Sequence, residues 1–192
     1  MIDNIFVSTN DKKINDLADK FHINTIIRPE HLCSDSASSE SALLHALEVI
    51  NDDYSIHPDI IVFLQATSPL RLFDDIDKSI NHFINEDVDS MFSVTMLDDL
   101  TLWQNENNKW KSLNFDYLSR LGRQQMPNNY IENGSIYITK PRILKKYNNR
   151  LGEKISVYEM KFWQTWEIDT IEEIDLIEYY IKKYKLNNTD AL

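Results

Sequence analysis

Short apolar runs alternate with amphipathic stretches along most of the chain, and this alternation restricts the fold more than any other feature. Ile5 to Ser8 (IFVS) has the pattern of a short buried strand. Asn10 is placed to cap a helix whose apolar positions Ile14, Leu17, Ala18 and Phe21 recur at helical spacing. The stretch Thr25 to Ile27 ends at Arg28-Pro29, where proline pushes its predecessor into extended geometry. Ser38 and Ser39 can cap a second helix bearing Ala42, Leu43, Ala46, Leu47 and Ile50. Ile60 to Leu64 (IIVFL) is β-branched and apolar on both faces, which predicts a central parallel strand broken at Pro69. A third helix follows with Ile76, Ile80, Phe83 and Ile84, and Ser90 to Val94 reads as the next strand. The pattern predicts an α/β fold of βαβ units, a mostly parallel sheet with helices on both faces.

From Met96 to Met126 the rhythm fails. The stretch is polar, yet it holds Trp103, Trp110, Phe115 and Tyr117, which need somewhere to pack. Residues 96–126 are therefore expected to be an excursion that packs against a partner subunit, the alternative being a disordered insertion. Ser135 to Ile138 restores a strand, followed by a short helix near Leu144 and a strand near Ile155 to Tyr158. A final helix starts at Thr170, with Thr170 and Glu173 spaced as a capping box. No internal repeat or low-complexity linker interrupts residues 1–192, so one domain with an excursion is expected.

Composition removes whole classes of function. The net charge is −11, which repels phosphate backbones and anionic lipid, so neither nucleic acid nor a membrane surface is an expected partner. No apolar run approaches the roughly 20 residues that span a bilayer. The single cysteine, Cys33, can form neither an internal disulfide nor a cysteine-based zinc site, which fits a reducing, cytoplasmic setting. Gly122, Gly134 and Gly152 are the only glycines, too few and too scattered for a GxGxxG or GxxxxGK[ST] loop.

Four segments can carry chemistry. LQATSPLR (Leu64 to Arg71) follows the strongest strand, at the sheet edge where α/β ligands bind. Its Gln65, Thr67, Ser68 and Arg71 suit a polyhydroxy, carboxylated ligand, but would equally make an ordinary polar turn. RPEHLCSDSASSES (Arg28 to Ser41) can receive an anion at a helix N-terminus, although spacing alone favours a long helix cap. RQQMPNNYIENGSIYI (Arg123 to Ile138) contains Asn133-Gly134, a strong turn signal, before the strand that holds Tyr137. In WEIDTIEEID (Trp166 to Asp175), Glu167 and Asp169 would share a face if extended and could hold magnesium. The alternative is an acidic cluster favoured by the helix dipole, and by spacing alone that is the stronger reading. The five histidines are scattered without metal-binding spacing, and Cys33 lacks an evident base partner.

Taken in order, VSTND, RPEHLCSDSASSES, LQATSPLR, RQQMPNNYIENGSIYI and WEIDTIEEIDLIE resemble successive motifs of the acylneuraminate cytidylyltransferases over nearly the whole chain. The resemblance implies a Rossmann-like nucleotide-diphospho-sugar transferase fold, a homodimer, and transfer of CMP from CTP to an acidic nine-carbon sugar. By the same resemblance Arg28, Ala37 and Ser39 would line the cytosine pocket, and Gln65, Thr67, Ser68 and Tyr137 would face the sugar. Arg123 would reach across the dimer to the sugar carboxylate or phosphate region. Glu167 and Asp169 would hold magnesium, with Arg123 and Asp169 as the catalytic pair.

Two departures stand out. The family's Asp-Ile-Asp is Glu167-Ile168-Asp169 here, which moves one carboxylate outward. The family's opening strand and GGSKGIPRKN-like phosphate loop have no counterpart in these residues, a difference on the order of 30 to 40 residues by the size of a βαβ unit. Hence the expectation that the 192-residue chain alone is inactive with CTP. Two alternative functions remain: activation of a related acid sugar (legionaminic, pseudaminic or 3-deoxy-octulosonic acid), or a non-catalytic fragment or regulatory subunit.

Overall fold

A computed structural model of the chain describes residues 1–34, 36–97 and 100–186. Among the described residues five α-helices and eight strands are present; they alternate as the sequence predicts up to β4, and after it the strands β5, β6 and β7 follow with no α-helix between them. The chain divides into two compact units. One comprises Met1–Phe63, Asp74–Met91 and Ile136–Ser156; the other comprises Leu64–Phe73, Phe92–Ser135 and the chain from Val157 onward.

The first unit opens with β1 (Phe6–Thr9), α1 (Lys12–Lys20) and β2 (Asn24–Ile27), a βαβ unit in which β1 and β2 pair in parallel. Asp11, not Asn10, caps α1: its carboxylate accepts from the Lys13 and Ile14 amides at 2.6 and 3.4 Å. Both residue types cap well, and the register differs by one. Ser38 caps α2 (Ser39–Asp53) as expected, with Oγ accepting from Ser41 N at 3.1 Å.

The strand β3 (Ile61–Leu64) belongs to a four-stranded sheet with β4 (Ser90–Leu97), β7 (Asn129–Thr139) and β8 (Ile155–Met160), in the order β3-β7-β4-β8. Contrary to expectation, β3 ends that order and is only half-buried. The strand buried through its whole second half is β7, from Asn133 to Thr139. A β-branched apolar run reports a good fit to a pleated surface, not a central place in the sheet. The helix α3 (Asp75–Asn85) buries Ile80 and Phe83, and the short α4 (Pro141–Tyr147) buries Ile143 and Leu144. Loops beside α4 are tied by charge: Lys140 and Arg142 both reach Asp89, and Arg142 and Lys146 both reach Glu153.

The stretch where periodicity fails is not featureless. It forms an antiparallel hairpin of β5 (Trp103–Glu106) and β6 (Lys109–Ser112). Asn107 and Asn108 turn it, both at positive φ (52° and 63°), the geometry of a type I′ turn. Its strands were invisible to pattern because every residue except Ser112 is exposed. Three of the four aromatics pack on one another, with Trp103 5.3 Å from Phe115 and 5.5 Å from Tyr117 between ring centres.

The last helix, α5 (Glu172–Tyr184), starts two residues later than predicted. Half of the capping box is present: Glu173 reaches back to accept from the Asp169 and Thr170 amides, each at 2.7 Å. Trp163 stacks on Tyr184 of this helix with ring centres 4.0 Å apart.

Candidate active site

In the second unit, the turn after β3 and the segment before α5 are sewn together. Ile168 N donates to Thr67 O at 2.8 Å, and Gln164 Nε2 donates to Leu70 O at 3.0 Å. Arg71 braces the same turn through Nη2, which donates to the carbonyls of Gln65 (3.0 Å) and Ser135 (2.7 Å). Thr67 is exposed, Gln65 and Glu167 are half-buried, and Ser68 is buried. The Ser68 hydroxyl makes no hydrogen bond of ordinary geometry among the described residues, yet it lies near enough to the Glu167 carboxylate to draw its pKa down. Burial outweighs that pull and holds the Glu167 pKa above the ordinary glutamate value, helped by the negative charges of Asp169 and Glu173. Residues 167–169 form no strand; the exposed Asp169 is held through its backbone by Glu173.

Asn133-Gly134 does not form the predicted turn. Both residues lie inside β7. Asn133 is buried, with Oδ1 accepting from Ser93 Oγ at 2.5 Å and Nδ2 donating to Thr95 Oγ1 at 3.1 Å, so it ties β7 to β4. Gly134 has φ +67°, and a Cβ there would stand 2.1 Å from Glu167 Oε1 and 2.7 Å from Gln65 Oε1. A glycine inside a strand often marks such a close approach, and that was the signal available in NGSIYI.

Gln65, Thr67, Ser68 and Glu167 are thus brought to one place, with Asp169 two residues further along the chain. Arg123 lies in a short 3-10 turn of the same unit, Arg123–Gln125, and its side chain lies outside the described atoms.

The first unit holds Arg28, Ala37, Ser39 and Tyr137. Arg28 clamps the end of β1: Nη2 donates to Ser8 O at 2.7 Å and Nε to Ser8 Oγ at 3.3 Å. Ala37 N closes a turn onto Ser34 O at 2.9 Å, and Ser39 opens α2. The Cys33 thiol donates to Pro29 O at 3.3 Å within the same loop. Tyr137 is buried on β7, its ring centre 5.9 Å from that of Phe63. Sequence reasoning missed Arg150, whose guanidinium lies over both rings and pairs with Glu40 in the first turn of α2. Among the described residues no group of three or more His, Cys, Asp or Glu is placed to hold a metal, and no helix is long and apolar enough to cross a membrane.

Against this geometry, a sequence profile of the family described as Cytidylyltransferase matches residues 1–190. The chain belongs to the cytidylyltransferase family. Relatives of this cytidylyltransferase include post-translational flagellin modification protein B of Campylobacter coli, 25% identical and covering 97% of this chain and 80% of that protein. N-acylneuraminate cytidylyltransferase B of Danio rerio is 28% identical over 83% of this chain and 37% of its own length. Pseudaminic acid cytidylyltransferase of Campylobacter jejuni is 25% identical over 100% of this chain and 82% of its own. The α/β fold is that of a solved CMP-2-keto-3-deoxy-manno-octonic acid synthetase in complex with CTP, with a TM-score of 0.64 at 13% identity, covering 95% of this chain and 82% of that one.

Proposed function

We propose that this cytidylyltransferase transfers CMP from CTP to a nonulosonic, sialic-type acid sugar. The carrying observation is the meeting of the Gln65 and Glu167 side chains over Gly134, with the Ser68 hydroxyl beside Glu167, which gathers an amide, a hydroxyl and a carboxylate after β3. Relatives named for pseudaminic and N-acylneuraminic acid support an acidic nine-carbon sugar as acceptor. The anomeric hydroxyl oxygen of the sugar bonds to the α-phosphorus of CTP as the bond to pyrophosphate breaks. For such a step the protein contributes position and charge neutralisation more than covalent chemistry.

In this reading Arg28, Ala37 and Ser39 line the cytosine pocket, and Gln65, Thr67, Ser68 and Tyr137 face the sugar. Arg123 acts across a homodimer built on residues 96–126, in the cytoplasm. Magnesium fits Glu167 and Asp169, because that ion is commonly held by one or two carboxylates together with substrate phosphates. A cation there would also offset the burial that, with the negative charges of Asp169 and Glu173, keeps the Glu167 pKa high. Bound magnesium supplies neutralisation of phosphate charge.

The test is an assay of CTP-dependent pyrophosphate release against N-acetylneuraminic, legionaminic, pseudaminic and 3-deoxy-octulosonic acids, with the product identified by mass. A nonulosonic acid should be preferred. Preference for the eight-carbon acid overturns the substrate reading.

A further inference from the structure

Glu167 and Gln65 arrive at Gly134 from different parts of the second unit, one from the segment before α5 and one from the turn after β3. Their side-chain oxygens lie only 2.1 and 2.7 Å from the position a Cβ would take. The two residues have different roles in the proposed reaction: Glu167 belongs to the metal and Gln65 to the sugar. We propose that Gly134 is a positioning residue that seats both side chains on the β7 backbone, so that the metal-side carboxylate and the sugar-side amide share one support. The inference rests on the reading of Glu167 as a metal ligand.

Three observations carry it. The atoms a new methyl group would meet are the far ends of flexible side chains, so moving Glu167 and Gln65 relieves the steric clash. That clash adds to the backbone strain of a non-glycine residue at φ +67° and can be separated from it by shortening Glu167. The strand around the glycine is fixed independently, by Asn133 to Ser93 and Thr95 and by Arg71 to the Ser135 carbonyl. With the backbone held, displacement falls on the functional side chains. Glu167 is also one methylene longer than aspartate, so the open space at Gly134 is what accommodates its reach.

The experiment compares Gly134→Ala, Glu167→Asp and the double variant, with Gly122→Ala as a control because a Cβ there meets nothing closer than 3.8 Å. Mn2+ is titrated into each protein and the free ion followed by electron paramagnetic resonance. Independently of metal, the Gln65 side-chain amide and Glu167 carboxyl resonances are recorded by NMR at fixed pH. In Gly134→Ala both resonances should move and Mn2+ should bind about 10- to 100-fold more weakly, the usual range for losing a ligand's support. The double variant should recover most of the affinity, because aspartate withdraws the carboxylate from the new methyl group.

Unmoved resonances, or a double variant that stays weak while Glu167→Asp alone binds normally, overturn the proposal and leave Gly134 a purely backbone role. Unchanged Mn2+ binding in both Glu167→Ala and Asp169→Ala sinks the metal reading instead, and the resonances then decide on Gly134. Should Gly134→Ala not fold, Gly134→Ala with Glu167→Asp should fold where Gly134→Ala with the longer Glu167→Gln does not. Equal failure of the two overturns the proposal.

Discussion

The guanidinium carbon of Arg150 lies 4.5 Å from the centre of the Tyr137 ring, so a cation covers a face of a residue proposed to meet the sugar. Its Nε donates to Glu40 Oε1 at 2.7 Å, and its Nη1 is buried without a hydrogen-bond partner among the described residues. The two side chains are only 16% and 17% exposed, which makes this a mostly buried ion pair. Removing one partner of such a pair leaves an uncompensated charge. Glu40→Ala should cost about 3 kcal/mol, the low end for a broken buried pair. Arg150→Met with Glu40→Ala should cost less than the sum of the single changes, measured as a double-mutant cycle in urea. Additive losses would show that the pair contributes no coupling.

Asn133 spends its side chain on the sheet. Asn133→Ala removes the acceptor for the Ser93 hydroxyl and the Ser135 amide, and the donor to Thr95. Buried groups that lose a partner cost roughly 1–3 kcal/mol each, so a loss of about 2–3 kcal/mol is expected in chemical denaturation. Asn133→Asp, which buries a charge in the same place, should be no better tolerated. Wild-type stability in Asn133→Ala would refute the anchoring role.

Local rules worked where local forces decide. The α2 boundary was legible because Ser38 caps it through its own hydroxyl, and α3 because Ile80 and Phe83 repeat at helical spacing and are buried. Long-range geometry was not legible. Nothing in IIVFL says that β3 ends its sheet, and nothing in WQNE or KWKS distinguishes an exposed strand from a loop. Asn-Gly favours a turn locally, yet Asn133 is more stabilised by bonds to β4 than by turning, and Gly134 is needed for its missing side chain. Arg150 escaped notice because its partners Glu40, Phe63 and Tyr137 are distant in sequence.

Asp169 is exposed and contributes to the fold chiefly through its backbone amide. Asp169→Ala should therefore change stability by no more than about 0.5 kcal/mol, as expected for a surface site. In a CTP-dependent assay the same variant should lose turnover by about 100- to 1,000-fold, the scale set by removing one electrostatic stabiliser. Full activity would exclude Asp169 from the magnesium site, whereas loss of folding would assign it a structural role.

Glu167 makes a pH-dependent prediction. Burial, with Asp169 and Glu173 adding to it, holds its folded-state pKa above the unfolded value of 4.5. The folded chain therefore holds this proton more tightly than the unfolded chain does. The stability so gained is present below pH 4.5 and lost as pH rises through the folded pKa. At neutral pH Glu167→Gln should melt at a higher temperature than the wild type, with the advantage shrinking as the pH falls toward 4.5. Magnesium should narrow the neutral-pH gap by stabilising the wild type alone. A Glu167→Gln protein less stable than wild type at neutral pH would contradict a desolvated carboxylate.

In the stretch the proposed dimer is built on, internal packing and exposed apolar residues can be tested separately. Trp103, Phe115 and Tyr117 contact one another, so Trp103→Ala should loosen the hairpin itself. Trp110 is different: it lies on β6 with 66% of its surface exposed, and Leu118 and Leu121 in the same stretch are also exposed. Where such exposed apolar groups form one contiguous patch, they mark an interaction surface. If they bury themselves in a homodimer, Trp110→Glu should shift the protein to monomer in light scattering while leaving its melting temperature nearly unchanged at concentrations where the wild type is also monomeric. A central interface tryptophan commonly accounts for about 2 kcal/mol or more of binding, so the dimer should weaken about 30-fold. A wild type that is monomeric at every concentration tested would overturn the homodimer, and a Trp110→Glu dimer as tight as the wild type would place the subunit contact elsewhere.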